Sequence, residues 1–249
     1  MIPFFRTVLD LLFPPRCGGC GALLPPSLRG EERALCTECA EEWEREMRLQ
    51  CPECLADYEE CTCQPRALKK AGCTAFVKLA PYGDEPRERV VRHLILEMKK
   101  SPRPRLAAFL AKELADGVLK AIERAGFDKS QALLLHLPRA RKALRRYGVD
   151  QAQELARALC AETGIPCTSL LYRKKSAKPQ KKLDAKARAV NLAEAFGVRE
   201  VPRDKLLILV DDVVTTGATL GVAASLLRAA GAKSVIAVAV AQTEKKQKR

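Results

Sequence analysis

Eight of the eleven cysteines fall before residue 64, and they come as close pairs: Cys17 with Cys20, Cys36 with Cys39, Cys51 with Cys54, and Cys61 with Cys63. The stretch they span has too few apolar residues to build a core of its own, so a cross-link has to hold it together. Secreted disulfide frameworks rarely place their cysteines one or two residues apart, whereas such pairs suit a metal ion. Tetrahedral zinc takes two pairs, so four pairs suit two ions. Sequential pairing puts Cys17, Cys20, Cys36 and Cys39 on one ion and Cys51, Cys54, Cys61 and Cys63 on the other; a cross-braced arrangement is the alternative. Four thiolates leave no open coordination position, which makes the expected role structural. Reduced thiols also point to a cytoplasmic protein. The outlying Cys73, Cys160 and Cys167 sit in apolar surroundings and read as small buried residues.

Charge divides the chain near residue 70. The first 70 residues carry 9 basic and 12 acidic side chains, whereas residues 71–249 carry 35 and 18, a net of +17. Within the second part, Arg139–Arg188 alone holds 14 basic and 4 acidic residues. A hydrophobic content of 47% excludes a disordered or fibrous chain. No small-residue cleavage pattern follows the apolar clusters of the first twelve residues, so no signal peptide is expected. The longest uncharged run, Val213–Leu227, is shorter than a membrane helix requires, and no membrane insertion is expected.

After Gln64 the pattern becomes that of an α/β chain. A strand is expected over Cys73–Leu79, then a helix over Arg87–Lys100 with Val90, Val91, Leu94, Ile95 and Met98 on one face, and a second helix over about Leu106–Glu123. Gln131–Leu137 reads as a buried strand ending at Pro138. Asp150 and Gln153 have the spacing of a reciprocal capping pair opening another helix. Residues 173–190 are basic and polar, interrupted by Pro179, and read as a long loop. The final segment reads as a βαβ unit: the strand Leu206–Val210, a glycine loop, a helix ending at Gly231, and the strand Ser234–Ala241. Neither histidine, His93 or His136, enters a triad or metal pattern. His93 reads as a surface helix residue, and His136 as a strand-end residue within reach of a ligand.

The most specific chemistry lies in Ile208–Thr219, ILVDDVVTTGAT. A tight loop running from a parallel strand into a helix exposes unpaired backbone N–H groups at the positive end of the helix dipole, where a phosphate fits. Thr215, Thr216 and Thr219 add hydroxyl donors, and Gly217 lets the backbone come close. The carboxylates of Asp211 and Asp212 repel phosphate, so they suit sugar hydroxyls or a hydrated Mg²⁺. Acid pair and cradle together imply a sugar phosphate. No Walker-type lysine motif occurs, which argues against nucleotide hydrolysis.

This segment resembles the phosphoribosyl-pyrophosphate (PRPP) motif of type I phosphoribosyltransferases. With the cysteine pairs, the segments YGDEPRERVVRHLILEMK and GVDQAQELARAL, and the loop KPQKKLDAKARAVNLAEAF, the whole chain is similar to the ComF family of competence-associated phosphoribosyltransferase-like proteins. The resemblance implies an α/β fold: a type I phosphoribosyltransferase-like parallel sheet with helices on both faces, preceded by a small N-terminal double zinc ribbon. It implies a zinc module over 1–70 and a transferase domain over 71–249, with a hood at 71–125, a core at 126–243 and a basic tail at 244–249.

The resemblance also implies site roles. Asp211 and Asp212 would hold the ribose hydroxyls, and the loop of Val214, Thr215, Thr216, Gly217, Ala218 and Thr219 the 5′-phosphate. Arg139, Arg141 and Lys142 would lie in the pyrophosphate loop, and Arg173, Lys174, Gln180 and Arg188 in a flexible loop that closes over the reaction. Tyr147-Gly148-Val149-Asp150-Gln151 departs from the family's R-G-[FY]-N-Q. The implied activity is Mg²⁺-dependent transfer of phosphoribosyl to an acceptor, with pyrophosphate release, linked to competence and natural transformation. The alternative is a non-catalytic PRPP sensor, or an accessory factor of single-stranded DNA that engages a helicase or another DNA-uptake protein. Aromatic residues make up only 5% of the chain, too few for a good stacking platform.

Overall fold

The computed structural model describes residues 14–25, 34–58, 60–83, 88–139, 144–145, 148, 150–174 and 192–243. Helix α1 spans Thr37–Met47, α2 Arg66–Lys70, α3 Arg89–Lys100, α4 Pro104–Arg124, α5 Gln151–Thr163 and α6 Ala218–Ala229. The strands are β1 (Ala75–Val77), β2 (Ala80–Tyr82), β3 (Ala132–His136), β4 (Leu171–Arg173), β5 (Phe196–Val198), β6 (Leu206–Val214) and β7 (Ser234–Thr243).

The main sheet is parallel, in the order β1-β7-β6-β3, with β2 continuing along the outer side of β7. Its central strands are apolar on both faces, as a sheet covered on both sides requires. Leu206, Ile208, Val210, Ile236 and Val238 pack into one cluster with α3, α4 and α5. Leu207, Leu209, Val235, Ala237 and Ala239 pack into another with α2 and α6. The period-2 alternation of the strands therefore feeds two helical layers. The doubly covered parallel sheet expected from the sequence is present.

Several expectations shift in detail. The strand expected over Cys73–Leu79 is confined to β1, and β2 follows beyond it after Lys78 and Leu79; Pro81 is accommodated because β2 is at the sheet edge. Strand β6 does not end at Val210 but runs through both aspartates to Val214, because β7 is long enough to pair with Asp211, Val213 and Val214. Asp150 caps α5 by accepting from Gln153 N–H at 3.3 Å, but among the described residues no bond from the Gln153 side chain closes the reciprocal pair. Cys167 is exposed and Cys160 half-buried, so of the three outlying cysteines only Cys73 is a buried core residue.

The cysteine-rich segment packs onto the rest of the chain. Trp43 of α1 stacks edge-on against Phe109 of α4 with ring centroids 5.4 Å apart, and its Nε1 donates to Glu113 Oε2 at 2.9 Å. The buried carboxylate of Glu46 accepts from the N–H groups of Val90 and Val91, at 2.7 and 2.8 Å, and so caps α3 from another element. His93, exposed on α3, places Nδ1 2.6 Å from the carbonyl of Gly19 between Cys17 and Cys20. The segment thus borrows the core it cannot build alone.

Candidate functional site

Strand β6 carries the acid pair to the C-terminal edge of the sheet, where open α/β sheets bind ligands. Both carboxylates fold back on the backbone. Asp211 Oδ1 accepts from Asp212 N–H at 2.9 Å, and Asp212 Oδ1 accepts from Val213 N–H at 2.7 Å. Asp212 Oδ2 instead faces Lys99 Nζ of α3 at 3.4 Å. Burial, and then the neighbouring charge of Asp212, push the Asp211 carboxyl well above its ordinary value of 3.8.

The next residues turn into α6. Thr215 and Thr216 are exposed, and Gly217 is buried with φ +72°, a left-handed conformation natural to glycine. Gly217 occupies the N-cap of α6 without a side chain to satisfy the first helical N–H groups, and Thr216 Oγ1 accepts only a long bond, 3.4 Å, from Ala218 N–H. A loop with exposed hydroxyls and a helix start lacking a side-chain cap has the donors an anion needs.

Across β6, strand β3 ends at His136, which sits in register with Val210. Burial lowers the His136 pKa, with Asp150 opposing. Beyond it, Arg139 N–H donates to Asp150 Oδ2 at 2.9 Å, and the Arg139 guanidinium donates to Gln151 Oε1. Gln151 is buried and donates through Nε2 to the Met98 carbonyl at 3.2 Å. Arg173 on β4 donates to the Pro138 carbonyl at 3.0 Å and lies over the Phe196 ring at 4.7 Å; burial lowers its pKa. Arg173 is thus tied to Pro138, the residue before Arg139, in the segment that follows β3.

Lys174 is exposed, and its backbone N–H donates to the Ala195 carbonyl. The hairpin of β4 and β5 brackets the basic loop expected to close over the reaction. Arg141, Lys142, Gln180 and Arg188 lie outside the described residues. Lys99 has no signal in the sequence, since it sits in a polar last turn where it looks like any solvent-facing lysine. Asp150 is legible as a cap, but its second role as anchor of the Arg139 backbone, and the link Gln151 makes between Arg139 and Met98, depend on distant elements.

The eight paired cysteines form two groups of four, Cys17, Cys20, Cys36 and Cys39, and Cys51, Cys54, Cys61 and Cys63, each with all four sulfurs within 4.8 Å of one another. All eight are free thiols. Backbone N–H groups of Gly19 and Cys36 donate to Cys17 Sγ, both at 3.3 Å, and that of Cys63 to Cys61 Sγ at 3.4 Å. Burial and the neighbouring thiols push the Cys39 and Cys63 thiols up, while the Ala56 N–H lowers Cys54 to about 7. Four crowded sulfurs cannot all ionise without a compensating cation. Either group could hold zinc, and the grouping is the sequential one, not cross-braced.

The sequence is similar to that of several known proteins. A family model described as a phosphoribosyl transferase domain matches residues 143–249. The chain is 29% identical to a protein of Salmonella typhi named DNA utilization protein YhgH, over 81% of this chain and 87% of that one. The protein of that name in Escherichia coli K12 is 27% identical over the same shares. Competence protein F of Haemophilus influenzae is 37% identical over 36% of this chain and 41% of its own. Among solved structures, a purine phosphoribosyltransferase from Pyrococcus horikoshii matches at 22% identity, covering 56% of this chain and 82% of that one, with a TM-score of 0.29. The relatives' names and the transferase domain bear out the ComF resemblance. No described helix is long and apolar enough to cross a membrane.

Proposed function

We propose that this chain, a ComF-like protein carrying a phosphoribosyl transferase domain, binds PRPP with Mg²⁺ at the end of β6. The carrying observation is the run of Asp211 and Asp212 directly into the uncapped, left-handed Gly217 entry to α6. Val214, Thr215, Thr216, Gly217, Ala218 and Thr219 cradle the 5′-phosphate, and the two aspartates take the ribose hydroxyls. Arg139 and Arg173, joined by Arg141, Lys142, Lys174, Gln180 and Arg188 of the basic loops, face the pyrophosphate. An acceptor nucleophile bonds to ribose C1 as the C1–O bond breaks, and pyrophosphate leaves with that electron pair. Fixed positive charge stabilises the leaving group. Closure of the loop between β4 and β5 excludes water from the reacting carbon.

Each group of four cysteines holds one structural zinc ion, and residues 1–70 act as a module docked on the hood. The protein works in the cytoplasm. Melting curves with PRPP and Mg²⁺ test the reading: wild type gains stability and the Asp211→Asn, Asp212→Asn double variant does not. Equal gain in both would reject it. Pyrophosphate release across a panel of bases and amines then identifies the acceptor.

The relatives' names, DNA utilization protein and competence protein, favour a second reading on the same fold, a PRPP-binding accessory of single-stranded DNA handling or of a DNA-uptake helicase. A salt-dependent gel shift that disappears on charge reversal at Lys174, Lys175, Lys181 and Lys182 supports direct DNA contact. PRPP turnover favours the enzyme.

A further inference from the structure

We propose that Lys99, on the last turn of α3, is a positioning residue of the sugar-phosphate site. Its ammonium stands in beside Asp212 for the ligand group that Asp212 binds, and the ligand must displace it. The inference rests on the PRPP reading above.

The last turn of α3 separates its two lysines. Lys100 Nζ pairs with Glu97 at 2.6 Å, and Arg103 pairs with the same carboxylate at 2.9 Å. Lys99 points instead across to β6 and meets Asp212 Oδ2 at 3.4 Å, with side chains 33% and 19% exposed. The other Asp212 oxygen is already taken by the Val213 N–H. Oδ2 is therefore the acceptor left for a sugar hydroxyl or a hydrated cation, and in the free protein Lys99 holds it. The same helical turn reaches the opposite side of the site. The carbonyl of Met98, next to Lys99, accepts from Gln151, and Gln151 accepts from Arg139. One turn of the hood thus touches both the acid pair and the loop expected to hold pyrophosphate. Releasing Lys99 frees Asp212 and loosens an ion pair that ties that turn to β6.

Calorimetric titration of PRPP at saturating Mg²⁺ tests this on the full chain. Lys100→Met removes the same unit of charge one residue away without touching Asp212, so it sets the baseline for non-specific attraction. Lys99→Met is expected to bind roughly fivefold tighter than Lys100→Met, the upper range for a partly exposed ion pair. Lys99→Arg, which keeps a cation there, is expected to stay at the wild-type value. If Lys99→Met fails to fold, Lys99→Gln makes the same comparison. Affinity of Lys99→Met equal to or weaker than that of Lys100→Met, with wild type binding normally, overturns the role of Lys99 and leaves the PRPP reading intact. Absence of PRPP binding in every variant, wild type included, overturns both.

Discussion

Lys78 Nζ lies 3.3 Å from Cys61 Sγ on a side chain that is only 1% exposed. It also donates to the carbonyls of Cys61, at 3.3 Å, and Cys63, at 2.9 Å, and lies near the rings of Phe76 and Tyr58. A buried ammonium is retained only where its charge and donors are satisfied. Here the second cysteine group satisfies them. The result is a clamp between that group and the edge of the main sheet, because Lys78 directly follows β1.

Replacing Lys78 with Met removes both the clamp and the positive charge beside the sulfurs. The expected loss is about 3–5 kcal/mol of stability, typical of removing one partner of a buried charged contact. Affinity of the second group for zinc is expected to fall about tenfold or more, as for other lost contacts to metal ligands. Zinc release to a colorimetric chelator would report this as one of two ions leaving early. Simultaneous release of both would count against a local role.

Glu46 caps α3 with two different oxygens, one for Val90 N–H and one for Val91 N–H. Glu46→Gln keeps one acceptor and turns an amide donor toward the other N–H, so an intermediate loss of about 1–2 kcal/mol is expected. Glu46→Ala leaves both buried donors unpaired and is expected to lose about 2–4 kcal/mol. Denaturant titration should rank the three proteins in that order. Equal stability of wild type and Glu46→Ala would show that α1 does not hold α3.

How much of this was legible beforehand follows from the range of each interaction. The buried face of α3, from Val90 to Met98, is a local periodicity, and the structure buries all five predicted residues. The cysteine grouping is equally local, since short loops favour sequential pairing. The length of β6 is not legible in the sequence, because two carboxylates look like the end of an apolar strand while the pairing that extends it comes from β7, some twenty residues later. Lys78 and Lys99 could not be read at all. Each is an ordinary lysine in sequence, and what distinguishes it is a partner far along the chain, Cys61 for one and Asp212 for the other.

Asp211 gives the acid pair a pH signature. Its pKa is raised in the folded state, so above the ordinary value of 3.8 the folded protein keeps a proton that the unfolded chain has released. The stability tied to that proton is fully present below 3.8 and is lost as pH rises through the folded-state value. Asp211→Asn has no proton to lose. It is expected to melt higher than wild type at neutral pH, with the difference shrinking toward pH 4. Melting curves across that range check this, and a pH-independent difference would contradict it.

The entry to α6 is packed against the short helix that leaves the second cysteine group, and two glycines make the fit. A Cβ on Gly217 would meet Pro65 Cβ at 3.0 Å and Leu68 Cγ at 3.3 Å; one on Gly221 would meet the backbone oxygen of Ala67 at 2.9 Å. Gly221→Ala sets two effects against each other. Alanine in a helix interior is worth about 1 kcal/mol over glycine, which would stabilise α6. The contact with Ala67 is to backbone, so α2 itself would have to move, and forced overpacking of this kind typically costs about 1–3 kcal/mol. The clash is expected to win, giving a net loss of about 1 kcal/mol and a lower melting temperature. Gly217→Ala adds strain at φ +72° to the crowding and is expected to lose more, about 2–3 kcal/mol. Because α2 follows directly from Cys61 and Cys63, both variants should also release zinc from the second group faster than wild type. A rise in melting temperature for Gly221→Ala would mean that α2 is free to shift, and that the second cysteine group and the entry to α6 are not packed as one body.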